Sequence, residues 1–233
     1  ISGTGALIHS GTGRTVLTGS NSYTGTTTVT SGRLYIDGNQ STATGATVAM
    51  NGTHLGGSGV IGGNVTIQDG GTLSPGSDSL VPGTLTINGD LTLNPGSTLL
   101  YNITGTAVGG AGNDLTIVGG DLTLGGAINV VDEGQTLGPG VYRIFNYAGS
   151  LSNPGGLTIG GYTSDGTSIT RPLSDFIVQT VIQNQVNLIN VSGHDLNYWD
   201  GSATTNKNDS IIQGGNGFWR HAGLAATFNW TDP

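Results

Sequence analysis

Cysteine is absent from these 233 residues, and charge is scarce: Asp, Glu, Lys and Arg make up 9%, against roughly 25% in an ordinary soluble domain. Without cysteine, disulfides can neither hold the fold nor report its compartment, although their absence suits a polypeptide that crosses membranes without premature cross-linking. No ~20-residue apolar run and no charged-then-apolar leader occurs, so nothing in the sequence reads as a membrane span, and any targeting peptide is expected to lie outside this segment. Cations are the scarcest charge. Arg14, Arg33, Arg143, Arg171, Lys207 and Arg220 stand isolated in a chain of formal net charge -8. Nucleic acid and anionic lipid are therefore expected to be poor partners, because phosphate binding needs clustered cations.

What the sequence has in excess is glycine, 44 residues or about 19% against a usual ~7%, with enough Leu, Ile, Val and Phe to place it above disordered chains. Its surface must stay wet through Thr, Ser, Asn and backbone. Apolar-Thr-apolar triplets recur at Val65-Thr66-Ile67, Leu85-Thr86-Ile87, Leu91-Thr92-Leu93, Leu115-Thr116-Ile117, Leu122-Thr123-Leu124 and Leu157-Thr158-Ile159. Each reads as a short strand with its apolar residues on a dry face and its threonine on the other. Between them, pairs such as Asp69-Gly70 and Pro75-Gly76 supply corners. Gly71-Thr72-Leu73 returns as Gly83-Thr84-Leu85 and, more loosely, as Gly96-Ser97-Thr98-Leu99. Such repetition predicts an all-β solenoid, a right-handed parallel β-helix, with coils of ~20 to 25 residues. About ten coils would stack to roughly 50 Å. An antiparallel sandwich is the rival arrangement.

A composition shift near residue 192 divides the chain into residues 1–191, the coils, and residues 192–233, a terminal module that holds Trp199, Trp219 and Trp230. Just before it, Phe176 to Ile182 and Gln185 to Val191, joined by Gln183-Asn184, read as a hairpin or as two stacked rungs. The tryptophans suit a plug at a coil end. Tyr198, Trp199, Phe218 and Trp219 are nevertheless the candidates for stacking on a sugar or a partner protein.

Residues Leu17 to Leu34, LTGSNSYTGTTTVTSGRL, resemble the autotransporter-associated β-strand repeat of Gram-negative passenger domains, whose pattern is L-x-G-x-N-T-Y-T-G-x-T-T-V-x-x-G-x-L. Leu17, Gly19, Asn21, Tyr23, Thr24, Gly25, Thr27, Thr28, Val29, Gly32 and Leu34 carry the match. Ser22 and Thr26 depart from it. The stretches Gly57 to Gly63, Gly71 to Gly76 and the tryptophan module look like the continuation of the same family. From the residues alone, Asn21 suits turn hydrogen bonds, Tyr23 offers an apolar body with a wet tip, Gly25 allows a corner, and Thr26 to Thr30 make the next strand.

The resemblance implies a secreted passenger displayed on the bacterial surface, reaching it through an outer-membrane β-barrel that this chain does not contain. Asn229-Trp230-Thr231-Asp232-Pro233 reads as the entry to a further repeat. An adhesive partner is implied too, a host matrix or cell-surface protein or a glycan, and open coil ends predict some self-association.

Catalysis finds little support. Asp37, Asp69, Asp90, Asp121 and Asp165 are scattered singly at corners, and the pair Asp132-Glu133 lies in an evident turn. No serine has the strand-turn-helix setting of a nucleophile, and His194-Asp195 reads as a turn. Gly109-Gly110-Ala111-Gly112-Asn113-Asp114 matches the start of a calcium-binding nonapeptide, but in one copy and with Thr116 where a large apolar residue belongs. No zinc spacing occurs, and no cofactor is called for. The reading is a non-enzymatic structural rod with an adhesive role. A secreted passenger acting on a host receptor is the alternative, and a glycan-active β-helix enzyme a further one.

Overall fold

A computed structural model describes residues 1–76, 81–104, 112–132, 137–164, 167–168, 172–191, 197–199, 218–221 and 227–229. The chain divides into two compact units, Ile1–Asn190 and Val191–Pro233.

The first unit is a stack of parallel coils, each contributing one short strand to each of three sides. On one side the register runs Leu7, Thr27, Thr47, Val65, Leu91, Leu122, Leu151 from coil to coil. On another it runs Arg14, Arg33, His54, Thr72, Thr98, Ala127, Thr158. The third side joins Asn39, Val60, Thr86, Ile117 and Asn146, with Ser2–Gly3 and Ser22–Tyr23 pairing below as a separate parallel ribbon. Parallel pairing excludes the sandwich. The described coils number seven, not ten. Partners on the first side lie 20, 20 and 18 residues apart in the early coils, as expected, but 26, 31 and 29 apart in the later ones. Each later coil therefore spends more chain per turn, and at ~4.8 Å per coil the stack is roughly 30 Å long.

Most of the triplets behave as their alternation demands, but Leu115-Thr116-Ile117 does not: Thr116 is buried and Ile117 half-exposed, because the threonine hydroxyl is drawn inward to the Tyr101 hydroxyl. Val65 and Ile67 are buried and Thr66 half-exposed, and the same holds for Leu91, Leu93 and Thr92. Like residues then stack on like. The column Leu34, Leu55, Leu73, Leu99, Ile128 is at most 1% exposed throughout, so each apolar side chain finds its partner one coil above and one below. Burial of this kind contributes roughly 1.5–3 kcal/mol per large side chain.

The stack ends by reversal of direction. Gln185–Asn190 pairs antiparallel with Gly140–Tyr147, and Phe176–Gln179 pairs antiparallel with Gln185–Asn190. The segment that the sequence leaves open between a hairpin and two rungs is thus a hairpin, turned at Asn184, whose φ is +64°. A second reversal pairs Thr163 and Ser164 with Ser168 and Thr167. Two of the three sides therefore leave parallel register at this end. Tyr162 stacks on Phe176 at 5.5 Å between ring centroids, and Asn190 Nδ2 donates to the carbonyls of Leu137 and Gly138 at 2.7 and 2.9 Å.

The second unit contains a three-stranded antiparallel sheet, Asn197–Trp199, Phe218–His221 and Thr227–Asn229. In its register Trp199 lies opposite Trp219, Tyr198 opposite Arg220, and Phe218 opposite Asn229.

Close stacking makes one corner intolerant of side chains. A Cβ on Gly25, Gly45 or Gly63 would strike the backbone of Gly5, Gly25 or Gly45 respectively, so these glycines form a continuous column on which successive coils sit. Gly45→Ala is expected to destabilise the chain by about 1–3 kcal/mol, the usual cost of overpacking. Gly19→Ala, with nothing within 4 Å of its Cβ, should stay within about 0.5 kcal/mol of the parent. Urea unfolding followed by circular dichroism measures both.

Candidate functional site

The repeat motif lies across the second coil, and part of it faces inward. Asn21, Tyr23, Thr27, Val29 and Leu34 are buried, none more than 5% exposed. The tip of Tyr23 is not wet. Its hydroxyl bonds Thr27 Oγ1 at 2.5 Å and donates to Gln40 Oε1 at 3.3 Å, which makes it the centre of a small polar cluster inside the solenoid. Parallel stacking explains the difference: once the motif becomes an inner strand, the hydroxyl must be satisfied within the coil. Thr42 Oγ1 donates to the Asn21 carbonyl at 3.2 Å, and Asn21 Nδ2 bonds the Gly19 carbonyl at 3.4 Å, the turn role expected of that residue. Thr24 and Gly19 are exposed, and Thr28 lies outward between buried Thr27 and Val29. The motif builds coils.

The acids are engaged one per corner. Asp37 Oδ1 accepts the N–H of Ser58 at 3.0 Å, and Asp69 Oδ1 that of Gly96 at 2.8 Å. Along another edge, Asp90 N–H donates to Asn64 Oδ1, Asp121 N–H to Asp90 Oδ1 and Ser150 N–H to Asp121 Oδ1, at 3.0, 2.8 and 2.7 Å. Each side chain caps a backbone donor of the next coil, a stacked version of the turn-capping role that the sequence suggests. Asp132 corrects its expected place in a turn. It ends the strand Ala127–Asp132 fully buried, accepting from Leu137 N–H at 3.0 Å and from the Tyr162 hydroxyl. Glu133, Asp165, His194, Asp195 and Trp230 lie outside the described residues.

Of the calcium-like segment, Gly109, Gly110 and Ala111 lie outside the described residues. Asp114 is fully buried, and its two oxygens accept the N–H groups of Gly83 and Asn102, both at 2.8 Å. Among the described residues no three His, Cys, Asp or Glu side chains cluster as a metal would require. Tyr198, Trp199, Phe218 and Trp219 fall on adjacent strands of the second unit, with Trp199 and Trp219 paired across the sheet.

Sequence reading misses one surface feature. Arg14, Arg33 and His54, treated there as isolated or unremarkable, are direct register partners in three successive coils. Arg14 and Arg33 are exposed and His54 half-buried, while the residues that follow them are half-buried at Thr15 and buried at Leu34 and Leu55. The Arg14 guanidinium lies over the Tyr35 ring, 4.8 Å from its centroid, a cation–π contact. Burial and the neighbouring Arg33 charge both lower the affinity of His54 for a proton. No period betrays the row, because its members are 19 and 21 residues apart.

Two predictions follow from these environments. Tyr23→Phe leaves Thr27 Oγ1 and Gln40 Oε1 without their shared partner and should cost about 1–2 kcal/mol, with Thr27→Val less than additive to it in a double-mutant cycle. His54 has a folded-state pKa below its unfolded value near ~6.5, so the unfolded chain takes up the proton first and stability is lost as pH falls through that value. Melting temperatures between about pH 7.5 and 5.5 should fall less steeply in His54→Gln than in the parent.

Residues 7–36 match the Passenger-associated-transport-repeat family, a span that covers the second-coil motif and the strands on which it stacks. The whole chain is 48% identical over 237 residues to the adhesin BmaC autotransporter of Brucella suis biovar 1 (strain 1330), and spans about 7% of that protein's length. The motif, the parallel stack it builds and this end-to-end likeness agree: residues 7–36 carry the passenger-associated transport repeat, and the chain is similar along its whole length to a segment of an autotransporter adhesin.

Proposed function

We propose that the chain is a non-enzymatic adhesive rod, displayed at the bacterial surface, that contacts a host matrix or cell-surface protein or a glycan. The observation that carries this reading is its likeness along its full length to a segment of an autotransporter adhesin. The geometry supports it. A stack of parallel coils is stiff and exposes rows of small polar residues, while the corner carboxylates are engaged with backbone donors. We take the coils to wind right-handed, the hand of nearly all parallel crossovers. Residues 192–233 serve as a terminal module in which Tyr198, Trp199, Phe218 and Trp219 offer a second contact surface. Export through an outer-membrane β-barrel of the parent protein, and some end-to-end association of coils, belong to the same reading.

Fluorescent beads coated with the 233-residue chain should attach saturably to cultured epithelial cells or immobilised matrix proteins, and free chain should compete. Attachment no better than that of albumin-coated beads, with the bound chain still folded by circular dichroism, would overturn the proposal. Release of reducing sugar from any polysaccharide offered would overturn its non-enzymatic part.

A further inference from the structure

The row that begins with Arg14, Arg33 and His54 does not stop there. It continues in register through Thr72, Thr98, Ala127 and Thr158, seven outward positions on one side of the stack, none of them acidic. Its first part carries like charge on neighbouring coils, ~4.8 Å apart. Directly opposed like charges destabilise a sheet. Arg14 spreads part of this cost over the Tyr35 ring. The middle of the row is hydroxylic. Its far part opens into a concavity of about 260 Å³ lined by Pro95, Ser97, Thr98, Ala127 and Thr158. Ser97 is 2% exposed, so the hydroxyls that the concavity offers to a ligand are those of Thr98 and Thr158.

Charge is also divided along the chain. Residues 1–68 hold Arg14 and Arg33 against Asp37 alone, whereas residues 69–233 hold thirteen acidic residues against four basic ones. A polymer with a phosphate at every unit would meet repulsion over most of the stack. One that mixes anionic groups with neutral hydroxyls fits both parts of the row.

We propose that this row is a binding track for an acidic polysaccharide lying along the stack, with a sulfate or carboxylate at Arg14 and Arg33 and a neutral sugar in the concavity. The step from Arg33 to Thr98 is three coils, or ~14 Å, so the ligand is an extended chain and not a single sugar. The proposal rests on the adhesive reading and names its ligand class.

The test uses the full chain and three probes: a heparan sulfate decasaccharide, hyaluronan as the carboxylate-only polymer, and neutral dextran. Heparan sulfate, hyaluronan or both should bind in calorimetry, more weakly as salt rises, and dextran should not. The double variant Arg14→Gln, Arg33→Gln should lose at least tenfold in affinity and Thr98→Val about threefold. Bound ligand should also protect Arg14 and Arg33 from phenylglyoxal in mass spectrometry, a readout on the unmutated protein. Binding no stronger than to dextran, or unchanged in the double variant with both arginines unprotected, overturns the track. If coated beads still attach to cells when neither acidic polymer binds, the track fails and adhesion stands. If the polymers bind but beads attach to no surface, the track stands and adhesion fails.

Discussion

Every strand in the solenoid depends on handing its backbone donors and acceptors to the coils above and below. An extended strand cannot satisfy its own N–H and C=O groups, and strands of two to four residues gain too little from side-chain contact to order themselves alone. Stacking at a fixed spacing solves both problems, and it dictates the rest. Corners must let one coil sit on the backbone of the last, hence the glycine column through Gly25, Gly45 and Gly63. Where that column ends, Asn64, Asp90 and Asp121 take over, each side chain bonding the backbone of the coil that follows. Steric emptiness and side-chain capping are two answers to one demand.

The interior shows the same economy. Two tyrosines reach into the core and end on a threonine. Tyr23 does so with Thr27, and Tyr101 with Thr116 at 2.6 Å. Both tyrosines are buried, and burial pushes the Tyr101 hydroxyl well above its ordinary pKa, reinforced by the nearby Asp114 charge and opposed by the Thr116 bond. Tyr101 also leans on Phe145, with ring centroids 5.7 Å apart. Such pairs hold large rings inside without leaving a polar tip unpaired.

Much of this was legible before any coordinates. Val65-Thr66-Ile67 and most of its relatives declare their dry face by alternation, whereas Leu115-Thr116-Ile117 misleads because a buried tyrosine hydroxyl draws Thr116 inward. The repeat around Asn21 and Tyr23 points to parallel coils. What escaped the sequence are properties of register. Coil length changes from 18 to 31 residues, so a fixed period miscounts the coils. It also hides that Arg14 and Arg33 are neighbours, that Gly45 stands on Gly25, and that Asp132 closes on Tyr162 thirty residues away. The tip of Tyr23 was misjudged for a related reason: a tyrosine's hydroxyl faces water only if the next coil does not cover it.

Register also explains why a weakly charged chain can carry a specific surface. In an ordinary fold, two isolated arginines separated by 18 intervening residues have no reason to meet. In a stack, any two positions one coil apart are adjacent by construction, and a single substitution per coil writes a continuous line on the surface without disturbing the inward column. Arg14 and Arg33 use outward positions, and the residues that follow them, Thr15 and Leu34, stay paired in register. The scaffold therefore separates the residues that fold it from those that can be spent on recognition. Low overall charge then becomes an advantage, because the few charges that do align are not drowned by their surroundings.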